Sequence, residues 1–273
     1  MKYSKIKISE AINIANLKID AFDTDLLLSF VKKVNRSYLY SHQNELLTTD
    51  EKTYFFDLVQ ERELKKPLAY LTGKKGFWKN NFYVNPSVLV PRPESEIIVE
   101  KILEHDLEGK DLLELGIGSG IISISLGLEN KNLSVIGTDS SIDALMVANA
   151  NSKKLKAKNV IFLKHDWNNK WLFPKMDFIV SNPPYVNKEK LIGDEDGIWF
   201  EPENALFAED EGMTDLKTII FNSINFLKDN GKLFLEHAPD QAKKVIREAK
   251  KVGFKKIEQV NDYNGLTRVS ILG

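Results

Sequence analysis

The chain has 273 residues, of which 42% are hydrophobic and 28% charged, a composition typical of a globular protein with room for one large domain or two smaller ones. A net charge of −1 argues against a dominant nucleic-acid-binding surface, and the absence of cysteine excludes disulfides, thiolate nucleophiles and cysteine-ligated metals. No apolar run approaches the ~18 residues that span a bilayer, and residues 1–10 lack the apolar core of a signal peptide, so we expect a cytoplasmic protein.

The first 72 residues carry helical patterns and no strand pattern. A helix is predicted in AFDTDLLLSFVKKV, with Asp20 or Asp23 near its start. Its apolar face combines four residues: Leu27, Phe30, Val31 and Val34. Thr48 stands three residues before Glu51, the spacing of a capping box, and Pro67 closes the pattern that follows. Residues 1–72 are therefore predicted to form a small all-helical domain.

Residues 73–96 contain glycines, alternating aromatics and prolines, which predict a turn, a short hairpin and a rigid loop. From Ile97 onward, helical patterns such as TDLKTIIFNSINFLKDNG (214–231) alternate with seven strand-like runs: DLLELG, SVIGTD, NVIFLKHD, MDFIVSN, KLFLEH, KKIEQV and RVSILG. This alternation predicts an α/β domain with a doubly wound, largely parallel sheet. The short link between the last two runs predicts an antiparallel hairpin.

The first strand-like run ends in the glycine loop LELGIGSGI. Glycine at 116, 118 and 120 permits positive φ and close approach of a ligand, and the following helix N-terminus favours anionic groups. The spacing G-x-G-x-G differs from the dinucleotide fingerprint G-x-G-x-x-G. With Glu114 ahead of it, the loop resembles the first motif of S-adenosylmethionine-dependent methyltransferases. That resemblance implies that the cofactor contacts Gly116, Ile117, Gly118, Ser119 and Gly120.

Acidic residues follow the next two strand-like runs. Asp139 can accept hydrogen bonds from both ribose hydroxyls of a nucleoside, and Asp166 can accept from an adenine amino group. Trp167 offers the adenine ring a face or a backbone contact. The alternative is a plain strand-to-helix turn with Asp139 as a helix cap, but the succession of groups at strand ends favours a cofactor site.

Two histidines are not assigned to the cofactor site. His165 and His237 each stand without a cysteine or acidic residue at metal-ligand spacing, so we interpret both as structural and predict no metal site.

The segment NPPY (182–185) follows a buried strand-like run that its prolines prevent from continuing. A planar nitrogen needs its lone pair aimed at a methyl donor, and two acceptors can do this by binding its N–H groups: the Asn182 side-chain oxygen and the Pro183 carbonyl. Pro183 and Pro184 hold the carbonyls stiffly, while Tyr185 can lie against the flat substrate. Asn182 capping an ordinary turn is the alternative, but the position behind a strand favours a methyltransferase acting on planar nitrogen.

A wider resemblance covers nearly the whole chain and rests on six segments: GFWKNNFYVNPSVLVPRPESE (76–96), LELGIGSG (113–120), GTDSSIDALMVANANSKKL (137–155), HDW (165–167), SNPPYV (181–186) and FEPENALFAEDEGMTDLKTII (200–220). Together they resemble the N(5)-glutamine methyltransferases of peptide chain release factors, the PrmC (HemK) family. The glycine loop is common to a large superfamily and NPPY to several nitrogen methyltransferases, whereas PRPESE and FEPENAL are narrower signals.

The resemblance implies methylation of the side-chain nitrogen of the Gly-Gly-Gln glutamine in class I release factors, with S-adenosylmethionine as donor and S-adenosylhomocysteine as product. It implies release-factor docking by residues 1–72, a hairpin linker and closing loop at 73–96, and a Rossmann-like, seven-stranded methyltransferase domain at 97–273. By position, the substrate amide is held by Asn182, Pro183, Pro184 and Tyr185, and the cofactor by residues 116–120, Asp139, Trp167 and Asn182. We expect a monomer with no metal, membrane or direct nucleic-acid partner.

The sequence departs from the family pattern at three places. Ile117 and Ser95 stand where threonine is common, and LEHA (235–238) replaces the usual Leu-Glu-Ile-Gly. Three alternatives stay open: a glutamine methyltransferase of a ribosomal protein, a nucleic-acid amino-group methyltransferase, and an inactive binding protein. Residues 1–75 hold 13 Lys or Arg against 10 Asp or Glu, a weak basic bias for a nucleic-acid enzyme. Intact Asn182 and an intact glycine loop argue against an inactive relative.

Overall fold

The computed structural model describes residues 5–190 and 197–273. The chain divides into two compact units, Met1–Gly73 with Asp194–Phe200 and Lys74–Gly193 with Glu201–Gly273. Among the described residues, no helix is both long enough and apolar enough to cross a membrane.

The first unit is helical, as predicted, and its helices are α1 (Ile8–Ala15), α2 (Ala21–Lys32), α3 (Arg36–Ser41), α4 (Thr49–Glu63) and α5 (Leu68–Thr72). The predicted capping box begins α4: Thr48 Oγ1 accepts from the Glu51 amide, and the Glu51 carboxylate accepts from the Thr48 amide. Asp20 caps α2 by accepting from the Phe22 amide at 2.7 Å.

The predicted apolar face of α2 packs on the core, as expected, but the helix ends earlier than predicted. Lys33 adopts the left-handed conformation and ends the helix at Lys32, so Val34 lies beyond it. Leu27 is buried as expected, and the other three residues of the face lie partly buried against the same cluster: Phe30, Val31 and Val34. Leu28 joins the buried cluster as well, which the predicted face did not include.

The second unit opens with the predicted hairpin, β1 (Lys74–Phe77) paired antiparallel with β2 (Asn80–Tyr83). All seven strand-like runs form strands of one sheet: β3 (Asp111–Leu115), β4 (Ser134–Asp139), β5 (Val160–Lys164), β6 (Met176–Ser181), β7 (Leu227–Glu236), β8 (Ile257–Asn261) and β9 (Thr267–Leu272). The order is β5-β4-β3-β6-β7-β9-β8. Among these described strands, β9 alone runs opposite to the other six. Its antiparallel pairing with β8 confirms the predicted terminal hairpin.

Helices cover both faces of the sheet: α6 (Glu96–Leu103), α7 (Ile121–Glu129), α8 (Ile142–Leu155), α9 (Glu203–Leu206), α10 (Glu209–Gly212), α11 (Thr214–Phe226) and α12 (Ala242–Val252). Strand residues alternate between two buried clusters, since Leu112 and Phe178 face one while Leu113 and Ile179 face the other. This is the doubly wound fold that the sequence predicts.

The predicted helix 214–231 is too long. α11 ends at Phe226, and Leu227 begins β7, where it pairs with Met176 before an irregularity in the ladder. Leu227 is buried against the sheet as part of β7, so α11 does not continue for another turn. Gly231 further disfavours a longer helix.

Candidate active site

A cleft lies at the carboxyl ends of the parallel strands β3, β4 and β6, where ligands bind in doubly wound sheets. The space free of protein atoms there is about 750 Å³ and includes open solvent, so the cleft is a partly open groove. Its lining combines the loops after these strands with two other segments: Ser87–Leu89, Pro91, Arg92, Ser95, Glu114, Gly116–Ser119, Ile121, Ile122, Asp139–Ser141, Ala144, Asn182, Pro184, Asn204 and Ala205.

The glycine loop connects β3 to α7 in the conformation that glycine permits. Gly116, Gly118 and Gly120 have φ of 73°, 52° and 83°. A Cβ on Gly116 would lie 3.0 Å from the Trp167 ring, whereas a Cβ on Gly118 would meet no atom within 4 Å. Gly118 therefore leaves its backbone open on the side of the cleft, as a ligand-binding loop requires.

Ile117 lies within the loop, but its side chain is buried, with 2% exposed. A Cβ on Gly137 of β4 would fall 2.1 Å from Ile117 Cδ1, so the isoleucine fills the space that Gly137 leaves. The residue that replaces a family threonine is thus used for packing, and its amide and carbonyl are bonded to Thr138 and Gly120.

Two carboxylates lie close to the loop. Asp139, at the end of β4, accepts from the amides of Gly118 and Ser141, both at 2.9 Å, and burial raises its pKa. Glu114 is 2% exposed and accepts from the Ser123 amide at 2.8 Å, and burial raises its pKa to about 8. Both carboxylates on this wall of the cleft are therefore held by backbone amides.

Asp166 and Trp167 take different positions. Trp167 packs on Gly116 and donates from Nε1 to Asp215 at 2.8 Å. Asp166 accepts from the amide and the side chain of Asn168 in a turn. Within the described chain, Asp166, Trp167 and Gly120 are absent from the lining of the cleft, although Trp167 directly supports the loop.

Asn182 follows β6 and reaches the cleft together with Pro184. Its Nδ2 donates to Ser95 Oγ at 3.0 Å, while its Oδ1 is buried and has no hydrogen-bond partner among the described residues. A buried acceptor without a donor is unusual and is a feature of sites that await a ligand. Within the described chain, the strand end thus holds a buried, unpartnered amide oxygen on a residue that lines the cleft.

Tyr185 is fixed at both ends. Its hydroxyl donates to Glu236 Oε1 at 3.1 Å, and its carbonyl accepts from Gln241 Nε2 at 2.9 Å. Burial raises the pKa of its hydroxyl, so it stays protonated. Pro183 is buried in the same turn, and neither it nor Tyr185 is among the described residues that line the cleft.

Ser95 and Glu236 are residues of the site that were not predicted. In the sequence they stand out only because they belong to places where the chain departs from the family pattern. Both have 0% exposure, and Ser95 Oγ donates to Glu236 Oε2 at 2.7 Å. Because β7 lies parallel beside β6, Glu236 at its carboxyl end adjoins Asn182. The rule that neighbouring strand ends build the site could have identified Glu236.

The two narrow family segments are bonded to each other. The buried carboxylate of Glu201 in FEPENAL accepts from the Val90 amide at 2.8 Å and from Arg92 of PRPESE at 2.6 Å. These segments, distant in sequence, thereby form one wall of the cleft.

The histidines have structural contacts. His237 is buried, with its ring nitrogens bonded to the Ala238 carbonyl and to Ser270, and burial lowers its pKa. His165 lies edge-on to Trp171 and Phe173. No cluster of potential metal ligands occurs among residues 5–190 and 197–273.

The residues present fit S-adenosylmethionine: the space beside Gly118 is open, Asp139 ends the next strand, and Asn182, with its unpartnered oxygen, lines the same cleft. Comparison with known proteins agrees. Residues 93–194 match the family model described as Methyltransferase small domain. A methyltransferase from Pyrococcus furiosus shares the fold, with a TM-score of 0.53 at 17% identity over 82% of this chain and 98% of that one. The chain is an S-adenosylmethionine-dependent methyltransferase.

Full-length relatives narrow this class. Residues 7–73 match the family model described as PrmC N-terminal domain. The release factor glutamine methyltransferase of Buchnera aphidicola (from Acyrthosiphon pisum) is 38% identical over 99% of this chain and 96% of its own length. That of Shewanella oneidensis is 34% identical over 97% and 95%. The chain belongs to the family of release factor glutamine methyltransferases, which confirms the resemblance noted in the sequence.

Proposed function

We propose that this protein methylates the side-chain amide nitrogen of the glutamine in the Gly-Gly-Gln motif of class I peptide chain release factors. The names of the relatives indicate a release factor glutamine as the substrate. The observation that carries the proposal is the buried, unpartnered Oδ1 of Asn182, a residue that lines the cleft, because a primary carboxamide brings the N–H donor that this oxygen lacks.

The residues of the turn orient the substrate. Asn182 Oδ1 accepts one amide N–H and the Pro183 carbonyl accepts the other, which aims the nitrogen lone pair out of the amide plane. Both acceptors also stabilise the positive charge that the nitrogen gains. Tyr185 lies against the flat face of the carboxamide, and the prolines keep the acceptors in place.

S-adenosylmethionine supplies an electrophilic methyl group: the amide nitrogen forms the new N–C bond, the S–C pair stays on sulfur, and one amide proton leaves to solvent. The chain's own contribution is binding. Residues 116–120 contact the methionine part of the cofactor, and Asp139 accepts from the ribose hydroxyls. We assign the adenine to the side of the cleft toward Asp166 and Trp167, neither of which is among the described residues that line the cleft itself. Asn182 contacts cofactor and substrate alike.

The two parts of the chain have separate tasks in this proposal. Residues 1–72 contribute to docking the release factor, residues 73–96 close the site, and residues 97–273 carry out the transfer as a monomer. The match of residues 7–73 to an N-terminal domain found in this family supports the first of these assignments.

The test is transfer of a labelled methyl group from S-adenosylmethionine to purified class I release factors. We expect incorporation into the release factor and none when its Gly-Gly-Gln glutamine is replaced by alanine. Incorporation into a ribosomal protein or nucleic acid in place of the release factor would contradict the proposal.

A further inference from the structure

A continuous chain of side-chain hydrogen bonds runs behind the turn 182–185. Asn182 Nδ2 donates to Ser95 Oγ at 3.0 Å, and Ser95 Oγ donates to Glu236 Oε2 at 2.7 Å. The other Glu236 oxygen accepts from the Tyr185 hydroxyl at 3.1 Å. Ser95 and Glu236 have 0% exposure, so water does not compete for these bonds.

The protons of this chain determine which way the Asn182 carboxamide points. An ionised carboxylate only accepts, so it takes the single proton of the Ser95 hydroxyl. Ser95 Oγ then has only lone pairs to offer Asn182 and must meet its NH₂ group. With the carboxamide reversed, two oxygens would face each other without a proton between them.

We propose that Ser95 and Glu236 are positioning residues that fix the Asn182 carboxamide with Oδ1 toward the substrate. This inference rests on the proposed function, in which that oxygen accepts from the glutamine amide. Ser95 lies at the wall of the cleft with no exposed surface, and Glu236 lies behind it. Each acts through Asn182, and Glu236 also through Tyr185, so one carboxylate orients both ends of the turn.

The rest of the turn is held independently of this carboxylate. Gln241 Nε2 donates to the carbonyls of Tyr185 and Glu211, and a Cβ on Gly212 would lie 2.0 Å from the Tyr185 carbonyl oxygen. The main chain therefore stays in place when Ser95 or Glu236 changes. What changes is the direction of the side-chain groups.

Protonation of Glu236 would undo the arrangement, because a protonated carboxyl can donate to Ser95 or Tyr185 and free the serine proton for Asn182 Oδ1. Burial raises the pKa of Glu236 to about 7, the bonds from Ser95 and Tyr185 oppose this, and the charges of Glu94 and Arg268 act in opposite directions. Arg92 is the other cation near Tyr185. Orientation of Asn182 should therefore be lost on the acid side of pH about 7.

The first experiment compares Ser95→Ala, Ser95→Thr and wild type for kcat on a release factor, cofactor Kd and Tm. Ser95→Ala should lower kcat by about 10- to 100-fold and leave cofactor Kd within about threefold, since it removes an orienting partner and no ligand contact. Ser95→Thr keeps the hydroxyl and should restore most of the lost turnover. Ser125→Ala is the matched control, because Ser125 is equally buried and its Oγ has no partner in the described chain.

Two outcomes would overturn the inference: wild-type kcat in Ser95→Ala, or a folded Ser95→Thr as impaired as the alanine variant. Glu236→Gln provides an independent test if Ser95→Ala does not fold. Wild-type kcat should decline below pH about 7, and Glu236→Gln should lack that inflection, because glutamine keeps one donor and one acceptor at every pH. An unchanged inflection would also overturn the inference.

Failure of the proposed function has a different signature. A wild-type enzyme that leaves the release factor unmethylated contradicts the function itself. A wild-type enzyme that methylates it, with a fully active Ser95→Ala variant, contradicts only the positioning role.

Discussion

In the proposed reaction, the orientation of the substrate carboxamide depends on one oxygen atom. Asn182 Oδ1 is buried and unpartnered among the described residues, and it lies beside a glycine loop whose backbone is open. A buried acceptor in this state destabilises the free protein, and a ligand that supplies a donor removes that penalty. In the proposed reaction, the same atom both recognises and orients the carboxamide.

Removal of this oxygen should affect turnover far more than cofactor binding. In Asn182→Ala, we expect kcat to fall by about 100-fold or more, because the acceptor stabilises charge that develops only in the transition state. Cofactor affinity should stay within roughly tenfold. Single-turnover methylation and equilibrium titration of the cofactor measure the two effects, and full activity in the variant would contradict the role.

At the scale of elements, the shape of the loop after β3 depends on a glycine in the adjacent strand. Ile117 fills the space above Gly137, and the amides of Gly116 and Ile117 both donate to the Thr138 carbonyl. The loop is therefore shaped by β4 as much as by its own glycines.

Gly137→Ala should displace the loop, because the new Cβ would lie 2.1 Å from Ile117 Cδ1. We expect a loss of about 1–3 kcal/mol in the free energy of unfolding and weaker cofactor binding. The control is Gly76→Ala, a strand glycine whose added Cβ has its nearest neighbour at 3.8 Å.

Adding Ile117→Ala to Gly137→Ala should recover part of both losses, since it removes the atoms that clash. Chemical denaturation and cofactor titration measure this coupling. Strictly additive effects of the two substitutions would show that the contact does not shape the loop.

Across the whole molecule, stability and activity should depend on pH in opposite directions. Burial raises the pKa of Glu114 to about 8 and that of Glu236 to about 7 in the folded chain, against 4.5 for an ordinary glutamate. A raised pKa means that folding favours the protonated form. The stability each group contributes is complete below pH about 4.5 and is lost as the pH rises through the folded value.

The variant Glu114→Gln tests this directly. Between pH about 4.5 and 8, the free energy of unfolding of wild type should decline relative to the variant, with a slope of up to about 1.4 kcal/mol per pH unit. Glu258→Gln, at an exposed position of β8, should run parallel to wild type. Parallel curves for Glu114→Gln as well would contradict the burial effect.

Prediction from sequence succeeded where local patterns determine the outcome. Apolar runs bounded by glycine, proline or polar residues identified the seven sheet strands, and the glycine spacing identified the loop and the cofactor. Helix ends were less predictable, because the end of α11 at Phe226 depends on pairing of Leu227 with Met176 in a distant strand. The Ser95–Glu236 bond joins residues 141 positions apart, so it requires the sheet order as well as the sequence.

The central claim is that this cleft delivers a methyl group to a carboxamide nitrogen held by Asn182. The most direct measurement is fragmentation mass spectrometry that locates the methyl group on a release factor treated with the enzyme and S-adenosylmethionine. We expect a single methyl on the side-chain nitrogen of the Gly-Gly-Gln glutamine with wild type, and almost none with Asn182→Ala. A methyl group on another residue, or equal methylation by both enzymes, would contradict it.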